Sequence, residues 1–418
     1  MKKSDKRIDI LIVGGNYIGK GAEAMMLVTR DQIKKKLPNA RFWVKPGNLK
    51  DAEKFKSDGF NLIYKKSTIR FLTAINILTG FLFSPFKNKK PNMKSEMRLS
   101  NAFRATDAMV DISGFASSDK FGPGSARGRW MLATLASFSG NKIIYLPQSW
   151  GPFQNKKNRR YTRWMLKKAS LVFARERISY QHLIETNCVK PDQVFVSKDI
   201  AFLFQVENCE KIAGEAMTNI GLKEPSRPYV TITPNMQIYR RMEGEDTKNH
   251  YIQIVFGIIQ HFLNNTNLNI VLIPHEASYH RRNDMELCAL LKDMAKTPDR
   301  IGILKEGESA ASVKAVIGCS EFLLASRYHS LVAALSMRKP VGVIGWAHKY
   351  DELMEDVGLS DYVVDPTKNQ QKIPPEKVII KAYEEREMII EKIKKTVPKI
   401  EQNIDDVFDK TVKTLREK

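Results

Sequence analysis

The sequence predicts an α/β protein of two doubly wound domains followed by C-terminal helices. The chain has 418 residues, which exceeds the size that one hydrophobic core usually serves. Short apolar and β-branched runs alternate with segments of helical periodicity, a pattern typical of parallel sheets covered by helices on both faces. The alternation pauses at a polar stretch with two prolines, residues 220–229, and then restarts. We therefore predict domains at residues 1–220 and 221–370, with helices over 371–418.

The predicted strands and helices follow one another in regular order. The strand segments of the first half are IDILIVGG, RFWVKP, DAMVDISG, NKIIYLPQS and LVFARE, with helical segments such as AEAMMLVTRDQIKKKL and RRYTRWMLKKAS between them. The strand segments of the second half are YVTITP, NIVLIPHE, IGILKE, LLAS and PVGVIGW. Because ligands of doubly wound sheets bind at the carboxyl ends of the strands, we expect the two sheets to face a shared cleft that holds the site.

The charge balance indicates an anionic partner. Lys and Arg number 68 against 46 Asp and Glu, a formal net charge of +22. Such an excess favours phosphorylated substrates, an acidic membrane surface or nucleic acid. The sequence has no arginine-rich block with interleaved aromatics and no zinc-finger or RNA-binding signature, so nucleic acid is the least favoured of the three.

The cysteines and the N-terminus indicate a cytoplasmic protein. The four cysteines are scattered without C-x-x-C or metal-ligand spacing, which is typical of reduced thiols, and no metal site is expected. The basic N-terminus leads into an apolar stretch that is too short for a signal peptide and runs directly into a glycine turn.

An apolar insertion within residues 67–94 departs from the globular pattern. The run Phe71–Phe86 is flanked on both sides by lysines and, at about 16 residues, is short for a membrane span of about 20. It is long enough to lie in the interface of an anionic membrane, which would place the protein peripherally on the inner face. The alternative is a helical hairpin packed on the protein's own core.

A glycine-rich turn follows the first strand, in the segment LIVGGNYIGKGAE. The stretch Gly14–Lys20 matches the P-loop spacing, but Gly21 stands where that motif needs a magnesium-binding hydroxyl. The glycines also fail the dinucleotide pattern G-x-G-x-x-G. The turn still directs backbone N–H groups at an anion, so Gly15 and Asn16 are candidate binding residues. The alternative is a turn that only lets strand and helix pack closely.

The strongest cluster is the strand-to-helix turn SRYHS in the second half. Arg327, His329 and Ser330 follow a strand and open an apolar helix. A guanidinium, an imidazole and the N–H groups of a helix start make a site for phosphate or carboxylate, and the histidine can carry a proton at neutral pH. The alternative is that Arg327 only caps the structure and His329 is a hydrogen-bonded core histidine.

Other strand ends supply weaker candidates. His275 and Glu276 end a second-half strand, and neighbours on an extended chain point to opposite faces, which argues against a shared metal. The polar residues that follow, His280, Arg281 and Arg282, are interpreted as a solvated basic face. The strand ends of the first half place four further side chains at the predicted cleft: Gln148, Arg175, Arg177 and Asp199.

These motifs, taken in order, resemble the polysaccharide pyruvyl transferases over residues 8–365. The segments that carry the resemblance are GGNYIGKGAE, DAMVDISG, LPQSWGPF, ARERISYQHL, KDIAFLF, IPHE and SRYHSLVAALSMRKPVGVIGWAHKY. The LPQS-x-GP turn and the Arg327, His329 and Lys349 of the last segment are the most specific. The family is similar in architecture to GT-B glycosyltransferases, with two Rossmann-like domains facing a cleft. The resemblance implies transfer of a pyruvyl group from phosphoenolpyruvate to a sugar of a cell-surface glycan as a ketal, without cofactor or metal.

The resemblance also implies roles for individual residues. His329 would contact the donor and act as the acid, while Arg327, with Arg175 or Arg177, would hold the phosphate and carboxylate of the donor. Planar guanidinium groups suit both anions. A base is also required, because each attacking sugar hydroxyl loses a proton. The candidates for this base are Asp111, Asp199 and Glu276.

Two departures from the family pattern lie in the acceptor half. Lys20 stands where members usually carry an acidic residue, and only Gly114 remains of a glycine triplet. Two other functions therefore stay open: a GT-B glycosyltransferase that uses a nucleotide sugar, and a non-catalytic glycan-binding protein. The expected partners are phosphoenolpyruvate, a glycan or lipid-linked sugar acceptor, an anionic membrane surface and a second copy of the chain.

Overall fold

The computed structural model describes residues 7–47, 51–64, 96–275, 283–368 and 373–417. The chain falls into two compact units, each built around a parallel sheet, as the alternation predicted. The first unit comprises Met1–Asn16, Met26–Lys198 and Asp405–Lys418. The second unit comprises Tyr17–Met25 and Asp199–Ile404.

The sheet of the first unit has nine strands in the described ranges. They are β1 (Asp9–Val13), β2 (Arg41–Val44), β3 (Asn61–Tyr64), β4 (Glu96–Arg98), β5 (Ala108–Asp111), β6 (Phe115–Ser117), β7 (Lys142–Trp150), β8 (Leu171–Ala174) and β9 (Val194–Val196). Their order is β4-β3-β2-β1-β5-β7-β8-β9, with β6 beside β7, and each described pair is parallel. The order reverses between β1 and β5, so the loops after these two strands lie where doubly wound sheets bind ligands.

Helices separate these strands along the chain. They are α1 (Lys20–Lys36), α2 (Ala52–Ser57), α3 (Leu99–Ala105), α4 (Gly122–Phe138), α5 (Lys156–Lys168) and α6 (Arg177–Ile184). Local sequence explains where they begin: Asn155, for example, caps α5 by accepting hydrogen bonds from the backbone N–H of Lys157 and Asn158 at 3.0 and 3.2 Å. Apolar residues of strands and helices, including Trp43, Trp150 and Leu166, form the core between them.

The second unit has a six-stranded parallel sheet. Its strands are β10 (Tyr229–Thr233), β11 (Asn269–Leu272), β12 (Ile301–Ile303), β13 (Phe322–Ala325), β14 (Val341–Ile344) and β15 (Val363–Val364). Their order is β12-β11-β10-β13-β14-β15, and all pairings are parallel. The order reverses between β10 and β13. The SRYHS turn follows β13 directly and therefore lies at the switch point of this sheet.

Nine helices from residue 209 onward complete the described chain. They are α7 (Cys209–Ala216), α8 (Met236–Tyr239), α9 (His250–Asn265), α10 (Asp284–Asp293), α11 (Ala310–Gly318), α12 (Tyr328–Ser336), α13 (His348–Asp356), α14 (Pro375–Glu384) and α15 (Arg386–Arg416). Asn249 caps α9, whose apolar stripe is buried through Ile252, Val255 and Ile259.

The division between the units falls at Lys198 and Asp199, ahead of the proline-containing stretch at 220–229. The segment after Asp199 belongs to the second unit because it packs on α11. The Sγ of Cys209 is 3.6 Å from the carbonyl oxygen of Ala315, and the ammonium of Lys314 donates to the carbonyl of Phe204. The last residues of α15, Asp405 onward, belong to the first unit.

The apolar insertion and the cysteines differ in how far the structure describes them. The insertion at 67–94 lies outside the described residues; within the described ranges, no helix is both long and apolar enough to cross a bilayer. The four cysteines are free thiols. Cys209 and Cys319 nevertheless lie close, with Sγ atoms 3.9 Å apart, a proximity that their spacing in the sequence did not indicate.

Candidate active site

The SRYHS turn between β13 and α12 is held by buried hydrogen bonds. The carbonyl of Ser326 accepts from the side-chain amide of Asn235 at 2.6 Å and from the hydroxyl of Tyr350 at 3.0 Å. The Ser330 hydroxyl donates to the Arg327 carbonyl at 2.6 Å and lies 2.8 Å from the hydroxyl of Thr233, the last residue of β10. The Ser330 hydroxyl therefore stabilises the turn, and its two hydrogen bonds fix the start of α12 against the neighbouring strand.

A buried carboxylate, Asp284, organises the residues around Arg327. Its Oδ1 accepts from the backbone N–H of Met236 at 3.0 Å and pairs with the Arg327 guanidinium, while its Oδ2 is 3.3 Å from the backbone N–H of His275. Asp284 is completely buried, so the carboxylate of this ion pair is shielded from solvent. Asp284 is the first residue of α10, and no sequence pattern indicated this role for it. The predicted basic face at residues 280–282 lies outside the described residues.

His329, the second residue of α12, lies beside a second buried carboxylate. Its Nε2 is 3.4 Å from Oδ2 of Asp199, and the two side chains are 25% and 0% exposed. The other Asp199 oxygen accepts from the backbone N–H of Ala201 at 2.9 Å and caps a short 3-10 turn, Ile200–Leu203. The carboxylate is therefore fixed by the backbone on one side and faces the imidazole on the other, where it compensates the positive charge of a protonated ring.

The His329 ring packs directly on Gly21 in the first turn of α1. A Cβ atom at Gly21 would lie 2.1 to 2.3 Å from Cγ, Nδ1 and Cδ2 of this ring, well inside any real contact. Only glycine leaves room for the imidazole at this position. In the sequence, Gly21 is recognisable only as a mismatch to the P-loop, and no local pattern connects it with His329.

A small cavity adjoins the His329 ring. Its volume of about 20 Å³ is the space of about one water molecule. Four basic side chains take part in its lining: Lys20, His275, Lys314 and His329. The remainder of the lining is apolar or glycine and includes Gly21, Ala24, Phe204 and Val313. Lys20, at the family's usual acidic position, donates to the Tyr17 carbonyl at 3.2 Å and lies 3.6 Å from the Glu23 carboxylate.

The second histidine of the cavity, His275, lies nearly parallel to His329. The ring centroids are 6.4 Å apart and the planes differ by 13°. Burial lowers the pKa of His275 well below its usual value, and the positive charges of His329, Arg327 and Lys20 lower it further. His275 is therefore a neutral imidazole at neutral pH.

Lys349 lies in α13, the helix that follows β14, and aromatic rings surround its side chain. Its ammonium lies 4.9 Å from the ring centre of Tyr328, 5.7 Å from that of Tyr350 and 5.9 Å from that of Trp346. Arg241 stacks on the same Trp346 at 4.2 Å. These cation–π contacts hold the two cations in fixed positions beside the SRYHS turn.

In the first unit, three predicted residues lie where the strand order of its sheet reverses, between β1 and β5. Gly15 and Asn16 follow β1, and Asp111 ends the adjacent β5. The Asp111 carboxylate is engaged: Nη1 of Arg129 lies 3.1 and 2.8 Å from its two oxygens, and the N–H of Ser113 donates to it at 2.9 Å. Asp111 thus has a cationic partner that the sequence analysis did not identify.

The ends of β7 and β8 carry the remaining first-unit candidates. Arg175 is almost completely buried, donates to the Ser149 hydroxyl at 2.7 Å and lies 3.5 Å from the Glu176 carboxylate, whereas Arg177 begins α6 at the surface. Gln148 is completely buried, and neither polar atom of its side chain has a hydrogen-bond partner among the described residues. Glu276 lies outside the described residues.

Comparison with known proteins identifies the family. The sequence model described as Polysaccharide pyruvyl transferase matches residues 20–348, which is most of the chain. The chain belongs to the polysaccharide pyruvyl transferase family. Family membership confirms the predicted recognition and makes the protein an enzyme; the family acts by transferring pyruvyl groups onto polysaccharide. No curated protein matches the sequence.

Solved structures confirm the fold of this pyruvyl transferase. One similar structure is the UDP-GlcNAc 2-epimerase from Methanocaldococcus jannaschii, with a TM-score of 0.55 and 14% sequence identity over 91% of this chain and 92% of that chain. Another is the UDP-GlcNAc 2-epimerase from Neisseria meningitidis bound to UDP-GlcNAc, with a TM-score of 0.57 and 12% identity over 97% of this chain and 99% of that chain. The structure titled putative UDP-N-acetylglucosamine 2-epimerase from Listeria monocytogenes is also similar, with a TM-score of 0.57 and 12% identity over 94% of this chain and 91% of that chain. At these identities the likeness concerns the fold alone, two Rossmann-like units of the GT-B type.

The neutral His275 predicts an acid sensitivity of the pyruvyl transferase. Since its pKa is lower in the folded chain than in the unfolded chain, the unfolded state takes up the proton first as pH falls through about 6.5. The free energy of unfolding should then decline by up to about 1.4 kcal/mol for each pH unit until the folded pKa is reached.

Urea denaturation of the wild type and of His275→Gln, at about pH 7.5 and about pH 5.5, measures this decline. The variant should lose less stability between the two pH values than the wild type. His250→Gln, at an exposed histidine, serves as the control and should follow the wild type. Equal losses in the wild type and His275→Gln would contradict the prediction.

Proposed function

We propose that the protein transfers the pyruvyl group of phosphoenolpyruvate to two hydroxyls of one sugar, in a cell-surface polysaccharide or its lipid-linked precursor. The products are a ketal and inorganic phosphate. The observation that carries the proposal is the pair of His329 and buried Asp199 at the switch point of the second sheet. Family membership over residues 20–348 supports the same chemistry.

The electrostatics of the second unit suit a small, highly charged donor. Arg327 at the turn and Lys349 on α13 are cations held in fixed positions, one by Asp284 and one by aromatic rings. Fixed charges stabilise an anion without the cost of reorienting solvent during the reaction. We assign the anionic groups of the donor to the part of the second unit where these two residues lie.

The first step is a proton transfer to carbon. His329 gives its proton to the methylene carbon of the donor, and the electron pair of the C=C bond forms the new C–H bond. Positive charge develops at C2, where the attached oxygens share it. A sugar hydroxyl attacks C2 and loses its proton to Asp199, which lies 3.4 Å from Nε2 of His329 and returns that proton to the ring.

The second step replaces phosphate with the other hydroxyl. The bond between C2 and the phosphate oxygen breaks, the electron pair leaves with phosphate, and the second hydroxyl adds to C2. Of the two hydroxyl protons, one replaces the proton that His329 gave to the methyl group. The other leaves on phosphate. No oxidant or reductant is needed, and the chemistry requires no cofactor or metal.

Different residues are assigned to the acceptor. Gln148 offers a buried amide whose donor and acceptor atoms have no partner in the described structure, which suits a sugar hydroxyl. Gly15 and Asn16 lie at the switch point of the same sheet. As the base, Asp199 is favoured over Asp111, because Asp111 is neutralised by Arg129. A lipid-linked acceptor would bring the protein to the inner face of the membrane.

The test is an assay with phosphoenolpyruvate and purified candidate glycans or lipid-linked sugars. Phosphate release together with a product of the mass of a pyruvyl ketal is the expected result. Nucleotide release from a nucleotide sugar, without use of phosphoenolpyruvate, would instead support a glycosyltransferase. Tight glycan binding with neither reaction would support a binding protein and overturn the proposal.

A further inference from the structure

Lys314 is a buried cation of the cavity beside His329 that neither the family resemblance nor the proposed mechanism uses. It lies in the middle of α11, and only 4% of its surface is exposed. It takes part in lining the cavity with Lys20, His275 and His329. A buried ammonium is costly unless hydrogen bonds and a counter-charge compensate it.

The compensation that the protein supplies to Lys314 is incomplete. Its Nζ donates to the carbonyl of Phe204 and lies 5.8 Å from the centre of that residue's ring. Within the described ranges, no carboxylate lies at ion-pair distance from it. The nearest acidic influence is Glu401, whose carboxylate is already held by both guanidinium nitrogens of Arg338 at 2.8 and 2.7 Å.

The pKa of Lys314 reflects this environment. Burial lowers it from 10.5 to about 8; Glu401 opposes the shift, Arg338 adds to it and the thiol of Cys209 opposes it. The side chain therefore still carries its charge at neutral pH, in a place where the charge is poorly paired. An anion entering the cavity would supply the missing counter-charge.

We propose that Lys314 binds an oxyanion of the phosphate class in the cavity that His329 lines. This inference rests on the proposed function, in which the anion is the phosphate group of the donor or the phosphate released. The cavity of about 20 Å³ has room for one oxygen atom of the anion, while the partly exposed His329 marks the side from which the rest of the group approaches.

Phosphate suits this lining better than carboxylate. Lys20 is paired with Glu23 at 3.6 Å, so Lys314 is the lysine of the lining without a carboxylate partner in the described ranges. A phosphate group carries close to two negative charges at neutral pH, whereas a carboxylate carries one. A phosphate can place one oxygen against Lys314 and still offer further charged oxygens on the partly exposed side at His329, whereas a carboxylate has two oxygens in all. Lys314 would thus hold the leaving group next to the proton donor.

The experiment compares binding of inorganic phosphate and of pyruvate to the wild type and to Lys314→Met, by calorimetry and by thermal shift. Phosphate should raise the Tm of the wild type, and Lys314→Met should bind it about tenfold or more weakly. Pyruvate should have little effect on either. Lys211→Met, at an exposed lysine of α7, is the matched control and should bind phosphate as the wild type does.

The variant should also fold, and its Tm without ligand should exceed that of the wild type at neutral pH, since an uncompensated buried charge is removed. This difference should shrink as pH rises from about 8 towards 10.5, because the folded chain releases the Lys314 proton while the unfolded chain keeps it. Higher stability together with weaker phosphate binding distinguishes a ligand-binding lysine from a structural one.

A second measurement needs no variant. Phosphate affinity of the wild type should fall as pH rises through about 8, since phosphate remains doubly charged there while Lys314 loses its proton. Unchanged phosphate binding in Lys314→Met, or affinity independent of pH across this range, would overturn the inference. Because phosphate binding requires no turnover, an active wild type that fails these tests would leave the proposed function intact.

Discussion

Replacing His329 with alanine should lower kcat for pyruvyl transfer by about 10²- to 10⁴-fold, the range that a positioned acid–base group contributes. The imidazole is the only group of the SRYHS turn that can carry a proton near neutral pH, and buried Asp199 lies 3.4 Å from its Nε2. The loss should appear in kcat more than in KM, because the proton is delivered in the transition state. Phosphate release from phosphoenolpyruvate, measured with saturating acceptor, provides the rate.

The fold should survive this substitution, since His329 is a quarter exposed and its removal leaves the hydrogen bonds of Ser326 and Ser330 in place. His250→Ala, at an exposed histidine that begins α9, is the matched control and should retain full activity. A His329→Ala protein with wild-type kcat would remove His329 from the reaction.

Adding one methyl group at Gly21 should reduce activity by about 10²-fold without touching any reacting atom. The new Cβ would stand 2.1 Å from Cγ of His329, so the imidazole must move away from its place beside Asp199. Displacements of about 1 Å are enough to disrupt proton transfer. Steady-state kinetics of Gly21→Ala measures the loss, and thermal unfolding should show a destabilisation of about 1–3 kcal/mol from overpacking.

Gly214→Ala is the matched control, because Gly214 lies in helix α7 with no atom within 4 Å of a Cβ placed there. This variant should be as active as the wild type and no less stable, since alanine favours the helix. Equal activity of Gly21→Ala and Gly214→Ala would show that the place of the His329 ring against Gly21 does not matter for turnover.

Much of the fold follows from local sequence. The run DILIV forms β1 and FLLA forms β13, and capping residues such as Asn155 and Asn249 begin helices between the strands. Such elements are predictable because the spacing of apolar residues decides which face of a strand or helix is buried. The proline-containing stretch at 220–229 was a weaker guide, since chain composition does not show that α7 packs on α11.

For the candidate site, the sequence predicts the position of the turn but not the roles of its individual residues. The turn after β13 was identified because residues that follow a strand of a parallel sheet lie at its ligand-binding edge. That rule places Arg327, His329 and Ser330 correctly at a switch point. It does not distinguish Ser330, which braces the turn, from His329, whose ring faces Asp199.

The sequence by itself therefore determined the α/β class, the two parallel sheets and the loop that carries His329, because these depend on hydrophobic patterns over a few residues. Only the tertiary structure decided that Gly21 makes room for His329, that Asp284 holds Arg327 and that Lys314 is buried in the same cavity. These contacts join residues far apart in the chain. Their existence depends on strand order and helix packing, and no short-range pattern of residues encodes either.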